Sequence, residues 1–265
     1  MEARERIELI NFLKNEVHNR NGILLNVCIS GSHLYGWESE DSDVDIRGTF
    51  ALNHREFFKL CTNGLPRSKR TMHIKNHPNP DYDIEFFELG NATEKALKSN
   101  CTIHEMLHAP QIYQTKEFID YLPTVRNIWG KTIHYSYKGM TMNNYEDFIC
   151  KGRATAKKWL YVFRGILAGL YALEQHEIEP NMNILAKYYR TPGIKKILKI
   201  KKEGKEDEPF HDSDTGEIDA LYNKLLDKFD KAYEKSDLPY GPTKEEKNKA
   251  WDMVATIRQE LGMNR

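Results

Sequence analysis

GSHLYGWESEDSDVDIRG, residues 31–48, decides how this chain is read. It lies between two strand-like runs: ILLNVCIS at 23–30, β-rich with glycine on both sides, and residues 44–52, where Val44, Ile46 and Phe50 fall on alternate positions. The stretch has two halves. Gly31-Ser32 follows the first strand directly and opens a helical turn, so its unpaired backbone N–H groups and the Ser32 hydroxyl can meet a phosphate. Asp43 and Asp45 stand two apart, which in a strand puts both carboxylates on one face with about 6 to 7 Å between their α-carbons. Hard carboxylates beside a phosphate cradle suit Mg²⁺, which keeps part of its water shell; zinc would want His or Cys.

Further along, DYDIEFFEL alternates cleanly and predicts a third strand over 82–87, after a shorter candidate at Thr71 to Lys75. A pair of metal ions about 3.5 to 4 Å apart needs a third carboxylate to clamp the attacking and leaving oxygens of an in-line displacement. Asp83 and Glu85 both face one way there. Asp83 is preferred, being shorter and nearer the strand start, and Glu85 remains the alternative.

Gly31-Ser32, Asp43-Val44-Asp45 and Asp83 together resemble the nucleotidyltransferase superfamily typified by DNA polymerase beta. With Tyr35-Gly36 after the Gly-Ser, and Asp41-Ser42-Asp43-Val44-Asp45-Ile46-Arg47-Gly48 after that, the pattern is similar to a bacterial, archaeal and phage branch, the RNA repair pathway DNA polymerase beta proteins. Asn100 to Pro110 resembles that branch's helix-closing pattern, and KKWLYVFRGILAGLYALE its long carboxy-terminal helix, so the resemblance covers about the first 175 residues. That family shows a single third-strand carboxylate, which the extra Glu85 here departs from. The resemblance implies Mg²⁺-dependent transfer of a nucleoside monophosphate from a nucleoside triphosphate to an acceptor hydroxyl, with an RNA end as acceptor and pyrophosphate leaving. On this reading Asp43 and Asp45 hold the ion that arrives with the triphosphate, and all three carboxylates hold a second; Mn²⁺ is a possible substitute. Proteins or small molecules are alternative acceptors, and a non-catalytic regulatory partner, as in a toxin–antitoxin system, is a different class of answer.

The remaining pattern is helical. An amphipathic helix is predicted over 3–19, and longer helical patterns at about 92–108, 115–128, 144–175, 193–203 and 216–235. The expected fold is α+β, a small mixed β-sheet nucleotidyltransferase domain (1–110) followed by an all-helical nucleotide- and acceptor-binding domain (111–265). Within 145–175 the positions Arg153, Lys157, Tyr161 and Arg164 form a basic and aromatic stripe beside an apolar face, suited to neutralising a triphosphate and stacking on a base. Lys157 and Arg164 are the expected phosphate contacts.

A competing motif is His104-Glu105-Met106-Leu107-His108, the H-E-x-x-H pattern of zinc peptidases; Pro110 stops that helix at once and no clear third ligand follows. Lys plus Arg equal Asp plus Glu at 39 each, so charge favours nucleic acid only locally, as at Lys195, Lys196, Lys199, Lys201 and Lys202. Cys28, Cys61, Cys101 and Cys150 are far apart, without C-x-x-C, which fits a reducing cytoplasm better than a disulfide framework or zinc ribbon. No targeting segment and no run of 18 apolar residues is visible, so no membrane is expected.

Overall fold

A computed structural model describes residues 2–53, 55–57, 70–203 and 215–263. Alternating apolar positions become a five-stranded mixed sheet of β1 (Gly22–Ile29), β2 (Val44–Leu52), β3 (Thr71–Ile74), β4 (Tyr82–Glu88) and β5 (Gln111–Gln114), in the order β3-β4-β2-β1-β5. β2 runs parallel to β4, while β1–β2, β3–β4 and β1–β5 are antiparallel. The α+β class holds: the strands lie in the amino-terminal half, and the rest of the described chain is mostly helical.

Because successive strand residues face opposite ways, each sheet face gathers its own core. On one face α1 (Ala3–Asn19) buries Leu9, Leu13 and Val17 against Leu24, Val27, Ile46, Phe50 and Phe86. On the other, Leu25, Cys28, Ala51 and Phe87 meet α3 (Leu89–Leu97), α4 (Cys101–His108), α5 (Lys116–Val125) and the late helix α11 (Lys244–Met263). The third core surrounds α7 (Ala156–Gln175), whose Trp159, Leu160, Phe163, Ile166, Leu167 and Leu170 are packed by α6 (Ile133–Asn144), α8 (Met182–Tyr188), α9 (Pro192–Glu203) and α10 (Thr215–Lys235). Tyr35 and Trp37, which lie between β1 and β2 in sequence, are buried in this helical core, so the segment carrying the first half of the motif is built into the helical layer.

Two of the predicted helices are corrected. The helix predicted over 92–108 is two, because Ser99 takes a left-handed φ of 53° and the Asn100 side chain then accepts from the Ile103 N–H as the cap of the next helix. Asn100 therefore opens a helix. The helix predicted over 144–175 begins as α6 at Ile133, passes through a π-helical turn at Tyr145–Ile149, and ends before Thr155 caps α7 through the Lys158 N–H. Arg153 falls in the intervening loop, its guanidinium donating to the Asp147 carbonyl at 2.6 Å, and so leaves the helical stripe. β5, α8 and α11 lie outside the expected elements: β5, a four-residue edge strand, and α8, a seven-residue helix, are too short to show a period, and α11 has many charges around a sparse apolar stripe.

Candidate active site

Parallel pairing of β2 and β4 places Asp45 opposite Asp83, and Arg47 opposite Glu85. Strand parity turns all four toward one face. The Asp45 side chain is one-quarter exposed and Asp83 is the more open at 61 %. Asp43, just ahead of β2, is exposed, and its charge reaches Asp45. A residue not assigned a role from sequence stands among them. Arg47 donates through one terminal nitrogen to Asp45 Oδ1 at 2.6 Å and Asp83 Oδ2 at 2.7 Å, and through the other to the Asp83 carbonyl at 2.7 Å. Glu85 approaches the same guanidinium at 3.9 Å. The signal was available in the sequence, since Arg47 continues the every-second-residue series of Asp43 and Asp45.

The first half of the motif closes on this site from β1. Ser30 N–H donates to the Asp45 carbonyl at 2.8 Å, and the chain then turns through Gly31 into the short α2 (Gly31–Tyr35). Gly31 is required twice over: its φ is +59°, and a β-carbon there would lie 1.6 Å from Asp45 Oδ2. The backbone thus rests directly on the catalytic-candidate carboxylate, with Ser32 buried next in line. Asn183 on α8 donates to the Gly36 carbonyl at 2.5 Å, and Lys201 on α9 donates to Ser39 Oγ at 2.6 Å, so helices of the second layer hold the loop leading into Asp43. Lys201 is buried, not part of a basic surface; it follows Ile194, Ile197 and Leu198 on the apolar side of α9, a spacing legible in the sequence.

From α7, two of the three expected nucleotide contacts, Lys157 and Tyr161, lie within electrostatic reach of Asp45. Burial pushes the Asp45 carboxyl above its ordinary range, Arg47 opposes this, Asp83 adds to it, and the Lys157 ammonium again favours the ionised form. Tyr161, raised mainly by burial, also feels the charges of Asp45 and Arg47, and its ring lies 5.4 Å from that of Trp37. Arg164 does not reach the site. It is 2 % exposed, pairs with Glu105 at 2.5 Å and lies 3.8 Å over the Tyr35 ring, because residue 164 falls on the buried side of α7 with Leu160 and Leu167.

That pair also disposes of the peptidase alternative. Glu105 is committed to Arg164 and Tyr35, His104 is wholly buried with Nε2 against the Ala96 carbonyl at 3.0 Å, and His108 Nδ1 meets the His104 carbonyl at 2.8 Å. The H-E-x-x-H helix is a packing element.

Among the described residues no three His, Cys, Asp or Glu side chains are arranged to hold a metal ion. The donor chemistry nevertheless suits a hard cation: two carboxylates on adjacent strands are already spanned by one positive group, Arg47, with a third carboxylate within electrostatic reach.

A mixed sheet bearing acidic positions on neighbouring parallel strands, with a Gly-Ser turn packed on one of them, is the α+β arrangement that the resemblance to polymerase beta-like proteins implies. The model of the RNA repair pathway DNA polymerase beta family matches residues 1–253, and the chain belongs to that family. It is similar to the uncharacterized protein MJ0002 of Methanocaldococcus jannaschii, 27% identical over 234 residues covering 87% of this chain and 93% of that protein. It is also similar to the uncharacterized protein YcgL of Bacillus subtilis, 26% identical over 189 residues covering 67% of this chain and 69% of that one. No helix among the described residues is long and apolar enough to cross a membrane.

Proposed function

We propose that the chain transfers a nucleoside monophosphate from a nucleoside triphosphate to an acceptor hydroxyl, at an RNA end. The observation that carries this is the register pairing of Asp45 with Asp83 directly under the Gly31 turn and within the field of Lys157. Asp43, Asp45 and Asp83 are the residues that would hold Mg²⁺, or Mn²⁺ in its place. Bound there, the metal supplies electrostatic stabilisation of the phosphoryl oxygens.

The chain's own contributions come from where its groups stand. Backbone N–H groups at Gly31-Ser32 and the Lys157 ammonium neutralise the triphosphate, and Tyr161 offers a ring for the base. Arg47 holds the two strand carboxylates together, in the place the metal would take between them. The acceptor oxygen forms a bond to the α-phosphorus, the bond to the β-phosphate oxygen breaks, the hydroxyl proton is lost to solvent, and pyrophosphate departs. The free cysteines Cys28, Cys101 and Cys150 support a reducing compartment, the cytoplasm. On this proposal the catalytic unit is the sheet with the helices packed on it, which takes in β5 and α11 as well as residues 1–110, and the helices around α7 supply contacts to the nucleotide.

The test is incubation of pure protein with each α-³²P-labelled nucleoside triphosphate, Mg²⁺ and RNAs of defined ends, beside Asp45→Ala. Label is expected on RNA, with the variant below a tenth of the original rate. Turnover above that, a barrier change under about 1.4 kcal/mol, would overturn the assignment of Asp45. Label on protein would instead identify protein nucleotidylation, and no label on any acceptor a regulatory protein.

A further inference from the structure

A polar groove of about 1150 Å³ lies beside the carboxylate pair, floored by the β3–β4 side of the sheet and walled by α3 and the start of α6. It adjoins the site through Glu85. Glu85 lines the groove and shares Arg47 with Asp45 and Asp83, and because Asp83, Glu85 and Phe87 face one way, β4 runs from the site into the groove floor. At about 3.3 Å per residue the floor begins roughly 7 Å from the Asp83 α-carbon, one nucleotide's reach along a chain.

The lining points to the occupant. Arg70, Lys95 and Lys98 are its cations, and Glu85 and Glu94 its acids. Both acids are engaged: Glu85 with His73 at 3.4 Å and with Arg47, Glu94 with Lys98 at 2.6 Å, a bond that holds its carboxyl below the usual range. Lys95 makes no ion pair among the described residues. At the α6 end the Tyr135 ring is half-exposed yet fixed, its hydroxyl donating to Tyr233 at 2.8 Å and its ring 5.2 Å from that of Tyr233. Cations along a wall and one fixed, open aromatic ring form the pattern that receives phosphates and a base together, rather than an apolar peptide.

We infer that this groove binds the acceptor as a single-stranded polynucleotide, its backbone along Lys95 and Lys98, a base on Tyr135, and its end at Asp83. The position of that end rests on the nucleotidyl-transfer reading; the binding itself does not. The α9 lysines are poorer candidates for such a track, since Lys201 is buried on Ser39 and Lys195, Lys199 and Lys202 line a separate hollow that shares no residue with this groove.

Fluorescence anisotropy of the full chain with a 5′-fluorescein single-stranded RNA dodecamer, without nucleoside triphosphate, tests this. Lys95→Gln/Lys98→Gln should weaken binding at least tenfold and lower the slope of log K against log salt by about 1.4, at roughly 0.7 per phosphate contact on single strands. Tyr135→Ala should weaken binding about 5- to 100-fold at constant salt slope. Lys195→Gln/Lys202→Gln should leave both unchanged, and circular dichroism melting of each variant separates lost contacts from lost folding. The inference is overturned if the groove variants bind RNA as the original chain does, if only the α9 variant loses affinity, or if the original chain binds no RNA. RNA binding that maps to the groove without any nucleotidyl transfer would sustain the groove and refute the activity.

Discussion

Arg164 was expected at the triphosphate, and the structure makes it a buried counter-ion, a difference that one substitution resolves. Arg164 and Glu105 are each 2 % exposed and 2.5 Å apart, and Tyr35 completes the cluster with its hydroxyl 3.4 Å from the other Glu105 oxygen. Arg164→Met leaves the Glu105 carboxylate with no cation in a place water does not enter. Removing one partner of a buried pair costs about 3–5 kcal/mol, whereas replacing both by apolar groups of similar volume is often neutral. Urea unfolding of Arg164→Met should therefore show a stability loss in that range, and Glu105→Leu/Arg164→Met should recover most of it, an interaction of several kcal/mol in the double-mutant cycle. Steady-state kinetics give the second readout. Among folded molecules the KM for nucleoside triphosphate should change less than threefold. A loss of stability under about 1 kcal/mol, with KM raised more than tenfold, would refute the buried-pair account and restore Arg164 to the phosphate.

Gly31→Ala forces a left-handed φ of +59° on a residue with a β-carbon, at about 1–2 kcal/mol, and aims that carbon 1.6 Å from Asp45 Oδ2. Since Asp45 must move, nucleotidyl transfer should fall at least a hundredfold while the protein stays folded; near-normal turnover would show that the turn does not position the carboxylate. Stability should also fall in acid because of His104, whose burial pushes its pKa down to about 4. The unfolded chain takes up that proton near pH 6.5 and the folded chain near 4, so between those values acid favours unfolding by about 1.4 kcal/mol per pH unit. His104→Gln keeps a donor for the Ala96 carbonyl and should flatten this slope in urea titrations; an unchanged slope would place the acid sensitivity elsewhere.

The acidic strand pattern was legible because its signal is local. An Asp two residues from another shares its face in any strand, and apolar alternation at 44–52 and 82–87 marks the strands themselves. The short β5 carries too few residues for a period, and the break at Ser99–Asn100 turns on one backbone dihedral that the surrounding helical pattern hides. Lys157 and Tyr161, read from helical spacing, lie within electrostatic reach of Asp45, whereas Arg153 was lost to a loop and Arg164 to the core.

By itself, then, the sequence determined the α+β class, the central strands and the two acidic pairs, all of which come from periods of 2 and 3.6 within short windows. Only the tertiary structure decided that β2 and β4 run side by side and in parallel with Asp45 opposite Asp83, and that Arg47 bridges them. It alone decided that the charge at 164 is buried, since its partner lies 59 residues away on α4. The physical reason is the same in each case. Periodicity fixes which residues share a face, but a face acquires a partner, and a charge its environment, only when distant segments pack.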